Sequence, residues 1–171
     1  MRTAVCPGSF DPVTLGHLDI IIRASVIFDR VIVAVSRNPI KNPMFSISER
    51  VEMLKEVLKP YRNVTIDSFD GLTVYYAVEQ KAVAIVRGLR VLSDFDNEFR
   101  TALVNKSLAC NVETLFLMTR AEYSYISSSA VKEVAIFGGP LDRLVPPLVV
   151  GKFKEKLNGK PISGSCDSRE G

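Results

Sequence analysis

The stretch from Thr3 to Leu18, TAVCPGSFDPVTLGHL, constrains this chain more than any other. Thr3 to Cys6 are apolar or β-branched and run into Pro7-Gly8, the pattern of a short buried strand that stops at a turn. Gly16-His17 then opens a helical pattern, with Leu18, Ile21, Ile22 and Val26 expected on one face. A strand, a glycine-containing loop and a helix, in that order, aim unpaired backbone N–H groups and the positive end of a helix dipole at one point, which suits an anion. His17, the only histidine of the chain, stands at that junction. A lone histidine there can also do no more than cap a helix, so the rest of the chain has to decide between the two readings.

Beyond this unit, strand and helix patterns alternate. Val31 to Val35 is a continuous apolar run suited to a strand buried on both faces, as in a parallel sheet. Ser36 to Phe45, with two prolines and two asparagines, reads as an irregular loop at the end of that strand, where ligand groups gather in open α/β sheets. Ser46-Ile47-Ser48-Glu49 is a capping box, and Val51, Leu54, Val57 and Leu58 follow at helical spacing until Pro60. Val64 to Ile66 is a third strand, Phe69-Asp70-Gly71 a turn, and Leu72 to Gln80 a short helix. Ala82 to Val86 gives the fourth strand, ending at Arg87-Gly88-Leu89-Arg90. Ser93 to Ala109 is a longer helix with Phe95, Phe99, Ala102 and Leu103 on its apolar face, and Leu115 to Met118 is the fifth strand. A helix follows Ser127-Ser128-Ser129 and closes on Gly138-Gly139-Pro140, and Pro146-Pro147 begins a last one reaching Leu157. The alternation predicts an α/β fold, a single doubly wound Rossmann-like domain over residues 1–157 with a five-stranded parallel sheet. Asn158 to Gly171, rich in Gly, Ser and charge, is expected to be a disordered C-terminal tail.

Composition limits the function classes. A net charge of +3, from 22 basic and 19 acidic residues, is too small to point to nucleic acid or a membrane surface, though it leaves room for a local basic pocket. A basic stripe with stacking aromatics is also lacking, so no nucleic-acid partner is expected. Cys6, Cys110 and Cys166 are odd in number and widely spaced, which indicates neither a disulfide framework nor a zinc site, and Cys6 reads as a small core residue. No apolar run approaches the ~18 residues of a membrane span, and the start carries no signal-peptide pattern. A cytoplasmic location, away from any membrane, is the expectation.

Four further groups fall at strand ends or helix starts. Lys41 lies in the loop after the second strand, where a solvated charge is the ordinary reading and a phosphate-binding ammonium the functional one. Arg87 and Arg90 flank a glycine, a pairing suited to bidentate capture of phosphate oxygens. Glu98, early in the following helix, can simply complement the dipole. Ser127-Ser128-Ser129 at a helix start can be a plain cap, but hydroxyls and free amides there also form a second anion cradle, to which Lys132 would add charge.

The blocks PGSFDPVTLGH, NPIKNPMFSISERVEML, FDGL, IVRGLRVLSDFDNEF and YSYISSSAVKEV, in that order between Thr3 and about Leu157, resemble the phosphopantetheine adenylyltransferase family. The wider nucleotidylyltransferase superfamily, with its (H/T)xGH signature, matches only the Gly-His and serine motifs. The resemblance implies transfer of AMP from ATP to 4′-phosphopantetheine, giving 3′-dephospho-coenzyme A and pyrophosphate. It implies that Ser9, Phe10 and His17 hold ATP near its α-phosphate, and that His17, Lys41 and Arg90 form the catalytic set. Lys41 and Arg87 would bind the acceptor's phosphate, with Ser9 alongside, and Leu72, Thr73 and Asn105 would meet the pantetheine arm. Gly88, Leu89, Arg90, Glu98 and the run Tyr123, Ser124, Tyr125, Ile126, Ser127, Ser128, Ser129 would hold the nucleotide. Mg2+ carried by ATP without dedicated protein ligands, a homohexamer, and coenzyme A as a feedback inhibitor are also implied. Ser9 in place of threonine, Cys6 in place of tyrosine, Asn97 in place of an aromatic and Thr73 in place of a more apolar residue change the pocket's shape, not the reaction type. Two other readings are an adenylyltransferase for another small phosphate, such as nicotinamide mononucleotide, and a nucleotide-binding protein without turnover. The FDGL and IVRGLRVLSDFDNEF blocks disfavour the first, and the presence of His17, Lys41, Arg87, Arg90 and the serines disfavours the second.

Overall fold

The structure is a computed structural model that describes residues 1–37 and 43–157. Lys41, Cys166 and the expected 158–171 tail lie outside the described residues. Five strands, β1 (Thr3–Gly8), β2 (Arg30–Ser36), β3 (Val64–Phe69), β4 (Ala84–Leu89) and β5 (Glu113–Met118), form one sheet in the order β3-β2-β1-β4-β5. Each neighbouring pair is parallel. Six α-helices connect or follow them: α1 (Leu15–Ile27), α2 (Ile47–Leu58), α3 (Thr73–Glu79), α4 (Leu92–Leu108), α5 (Ser128–Ile136) and α6 (Pro147–Lys156).

β2 and the first half of β4 read as continuous apolar runs because both faces of the sheet are covered there. Val31, Val33 and Val35 point with Cys6 and Val86 into a core closed by Ile21, Ala24, Met53, Leu54, Val131 and Phe153 from α1, α2, α5 and α6. Ile32 and Ala34 alternate to the other side, where Val5 and Ile85 meet Val74 and Ala77 of α3. This is the doubly wound arrangement expected. β1 pairs with β2 on one side and β4 on the other, so the connections reverse at the carboxyl ends of β1 and β4, where such sheets open a ligand crevice.

The expected face of α1 is corrected. Val26 is 84% exposed, and the buried side of the helix is formed by Gly16, Ile20, Ile21 and Ala24. Val26 stands about 140° round the helix from Ile21 at 100° per residue, too far to share its face. β4 also runs past Val86 through Arg87 and Gly88, so these two sit on the sheet itself. The apolar side of α4 is present, with Phe95 stacked on Phe99 at 5.5 Å and edge-on to Phe116 at 6.1 Å, yet every residue of the helix keeps part of its surface exposed. Among the described residues no helix is long and apolar enough to cross a membrane.

Candidate active site

A crevice of about 310 Å3 opens at the carboxyl ends of β1 and β4, with Cys6, Gly8, Arg87 and Gly88 at its base. The first turn of α1, carrying His17, forms one wall, and Ile126, Ser127 and Ser128 at the start of α5 form another. Asp94 and Glu98 of α4 complete the rim. The two helix N-termini thus open on one space. Ser128 links them by donating its hydroxyl to the Pro12 carbonyl at 2.9 Å.

The loop between β1 and α1 is shaped by close contacts. Phe10 has a left-handed φ of 45° and lays its ring edge-on to His17 at 5.1 Å. Gly8 permits this, since a Cβ there would lie 3.0 Å from the Phe10 ring. Asp11 is buried and accepts from the Met44 and Phe45 amides at 3.1 and 2.9 Å and from Lys132 Nζ at 2.8 Å. Arg50 reaches the same loop, donating to the Ser9 carbonyl at 2.7 Å. α6 backs this arrangement, with Phe153 edge-on to Phe45 at 5.2 Å. Lys132, expected to add charge at the serine cradle, is paired there with Asp11: a buried carboxylate needs a counter-ion, and Lys132 supplies it.

α1 starts at Leu15, not Gly16, and Thr14, which caps it, fixes the histidine. Its hydroxyl accepts the His17 N–H at 3.3 Å, while His17 Nδ1 accepts the Thr14 amide at 3.1 Å. Histidine thus fills the capping-box place usually held by Glu or Gln. An Nδ1 that accepts assigns the ring proton to Nε2. Burial, followed by the charges of Arg90 and Arg87, pushes the His17 pKa down to about 4. At neutral pH the ring is an uncharged N–H donor. Cys6 beside it is pushed up to about 12 by burial, against the pull of Arg87, so it is a thiol and not a nucleophile.

Both arginines are held by acids of α4. Arg90 donates from Nε and Nη2 to Asp94 at 3.0 and 3.2 Å and from Nη1 to the Ile126 carbonyl at 3.2 Å. Burial opposes ionisation of Asp94, but the Arg90 bonds and charge hold its carboxyl below the usual range. Arg87 donates from Nε and Nη2 to Glu98 at 2.8 and 2.5 Å and from Nη1 to the Pro7 carbonyl at 2.9 Å. Beyond this pair lies a second cavity of about 130 Å3, lined by Thr73, Thr101, Asn105 and Thr114, and sharing Pro7, Arg87 and Glu98 with the crevice.

Of the residues singled out in the sequence, Ser9, Phe10, His17, Arg87, Gly88, Arg90, Glu98, Ile126, Ser127 and Ser128 line the crevice, and Thr73 and Asn105 line the second cavity. Others stand apart. Leu72 precedes α3 with 53% of its surface exposed, Leu89 is buried in β4, and Tyr123 lines a separate hollow beside Arg120 on the outer side of α1. Ser124 gives its hydroxyl to the Ala121 carbonyl at 2.8 Å, and Tyr125 and Ser129 are exposed. Ser127 spends its hydroxyl oxygen on the Ala130 amide at 3.1 Å.

Thr14, Asp11, Asp94 and Thr101 were not singled out as site residues. Asp94 was within reach, since it stands four residues after Arg90. Among the described residues no group of three or more His, Cys, Asp or Glu could hold a metal ion.

Residues 5–134 match the cytidylyltransferase-like family model. The phosphopantetheine adenylyltransferase of Carboxydothermus hydrogenoformans is 62% identical over 157 residues, covering 92% of this chain and 97% of the relative. That of Desulforamulus reducens is 61% identical over 156 residues, covering 91% and 97%. Among solved structures, a Vibrio parahaemolyticus chain provisionally assigned as a nicotinate-nucleotide adenylyltransferase superposes with a TM-score of 0.67 at 20% identity, covering 96% of this chain and 100% of that one. A lipopolysaccharide core biosynthesis protein from Thermoplasma volcanium gives 0.54 at 21% identity, covering 70% and 98%. At such identities these two structures speak to the fold alone.

Proposed function

The chain belongs to the phosphopantetheine adenylyltransferases, and from that premise we propose how its residues divide the work. The reaction moves the adenylyl group of ATP to 4′-phosphopantetheine, giving 3′-dephospho-coenzyme A and releasing pyrophosphate. The attacking oxygen belongs to a phosphate monoester and is already anionic, so no protein nucleophile is needed. Catalysis then consists of aligning two polyanions and stabilising charge at the α-phosphorus.

ATP occupies the crevice, its phosphates between the N-termini of α1 and α5, where backbone amides favour anions. Ser9, Phe10, Gly88, Glu98, Ile126, Ser127 and Ser128, which line the crevice, are its proposed contacts. His17 donates from Nε2 to the α-phosphoryl oxygens as they gain charge, and Arg90 adds its own. The neutral ring has a proton to donate without first acquiring one, which supports this role. Lys41 and Arg87 hold the acceptor's phosphate, and Leu72, Thr73 and Asn105 meet its arm. Magnesium enters as part of the MgATP substrate, held by phosphate oxygens and water, and there neutralises the polyphosphate. Asp94 and Glu98, the acids of the crevice rim, are both engaged by arginine.

The observation that carries this division is the wall shared by the two cavities, where Arg87 stands between the larger space and the one lined by Thr73 and Asn105. It is where an acceptor's phosphate would meet a bound nucleotide. The test is ATP-dependent pyrophosphate release with 4′-phosphopantetheine against pantetheine lacking the phosphate. Turnover with the first alone is expected, and equal turnover would overturn the acceptor's phosphate as the attacking group.

We also propose a cytoplasmic homo-oligomer, a hexamer as in the family it resembles, with residues 1–157 as the folded unit. Support comes from the exposed apolar side of α4, where Leu92 is 89% and Leu103 56% exposed, next to the edge strand β5 with Met118 at 61%. Coenzyme A, which carries both the pantetheine arm and an adenosine, is the proposed feedback inhibitor at the same crevice.

A further inference from the structure

The Arg87–Glu98 pair sits on the only wall common to the crevice and the second cavity among the described residues, and it is closed on itself. Two of the arginine's five N–H donors, those along one edge of its planar fork, go to the two oxygens of Glu98. A third goes to the Pro7 carbonyl. A phosphate grips a guanidinium by two parallel bonds, the same way a carboxylate does. The side-on edge, through Nε and Nη2, is thus taken by Glu98, and one N–H is left on each Nη.

We propose that Glu98 is a specificity-determining residue, a placeholder that occupies Arg87 until the acceptor's phosphate displaces it. The proposal rests on the reading that Arg87 receives that phosphate. A monoester near its second ionisation carries close to two negative charges and three acceptor oxygens, against one charge and two oxygens for the carboxylate. It therefore wins the exchange, whereas a singly charged anion does not.

The surroundings suit an exchange of this kind. Among the described residues Arg87 is the hydrogen-bond partner of Glu98, so one swing of the side chain frees the fork. Glu98 rides on α4, whose residues all keep some exposure, so a shift there uncovers no core. The Pro7 carbonyl holds the guanidinium at the end of β1 while the carboxylate leaves. Arg87 is thus aimed before the acceptor arrives, and weaker anions are kept off it.

Isothermal titration of 4′-phosphopantetheine, pantetheine and acetate into the full-length protein and its Glu98→Gln and Arg87→Gln variants tests this. Glu98→Gln should bind 4′-phosphopantetheine roughly tenfold more tightly, since a charged competitor has been removed. It should leave pantetheine within about twofold and let acetate compete where the parent protein excludes it. Unchanged or weaker binding of 4′-phosphopantetheine by Glu98→Gln would overturn the proposal and make Glu98 a support for Arg87. Arg87→Gln should weaken 4′-phosphopantetheine, and if it does not, the fault lies with the assignment of Arg87 and not with Glu98. A structure of the parent protein with 4′-phosphopantetheine bound needs no variant, and an intact Arg87–Glu98 pair in it would also overturn the proposal.

Discussion

Nδ1 of His17 lies 3.1 Å from the backbone nitrogen of Thr14 and 3.1 Å from its hydroxyl oxygen, so the residue that caps α1 also holds the imidazole riding on it. Helix start and ring orientation are thereby one arrangement. Thr14→Val, which keeps the shape and removes the hydroxyl, should lose a cap worth about 1 kcal/mol. It should lower kcat several-fold through a less fixed ring. Thr14→Ser should restore both, as read by thermal unfolding and by pyrophosphate release.

His17→Ala should lower kcat by roughly 10²-fold or more while ATP affinity changes less, the pattern of a contact made in the transition state. Steady-state kinetics beside ATP titration separates the two. An unchanged kcat would remove His17 from the mechanism.

Asp11 joins three separate pieces of chain, since its carboxylate receives Met44, Phe45 and Lys132. Asp11→Ala leaves a largely buried ammonium and two amides without their acceptor, and should cost about 3 kcal/mol or more of stability by denaturant unfolding. The KM for 4′-phosphopantetheine should rise as well, because this carboxylate holds the Met44 and Phe45 amides, which follow Lys41 closely in sequence.

Gly88 packs against α1, where an added Cβ would lie 2.9 Å from Ile20 Cγ1. Ile20 follows His17 by three residues, so the pressure falls on the turn that carries the ring. Gly88→Ala should cost about 1–3 kcal/mol, the usual range for overpacking. It should also raise the KM for ATP, which the same kinetics would read.

Much of the fold was legible because it is local. Runs such as Val31 to Val35 announce strands covered on both faces, and Ser46 with Glu49 announces a helix start, with bonds of 2.6 and 3.2 Å in the structure. What was not legible depends on contacts distant in sequence. The sequence shows Lys132 as charge at the serine motif but not its pairing, because Asp11, its partner, lies 121 residues away. Arg87 and Glu98 were read as separate ligand contacts because nothing local shows that the end of β4 and the second turn of α4 come within bonding distance. Val26 lies off the buried side of α1 for a different reason. Several apolar residues in a row, Ile20, Ile21 and Ile22, leave the helical stripe ambiguous until the sheet chooses one side. The histidine as capping-box partner escaped notice because Glu and Gln are the residues looked for there.

At neutral pH the His17 ring is uncharged, with its proton on Nε2. Because the chain has a single histidine, a 15N NMR titration reads that ring directly. The folded protein should show the Nε2–H tautomer at pH 7 and ionise only near the value of about 4 to which burial, Arg90 and Arg87 push it. Since the unfolded ring ionises near 6.5, the stability tied to this group is complete above that pH and is lost as pH falls toward 4. A ring that instead protonates near 6.5 in the folded protein, or that carries its neutral-pH proton on Nδ1, would remove His17 as a neutral Nε2–H donor.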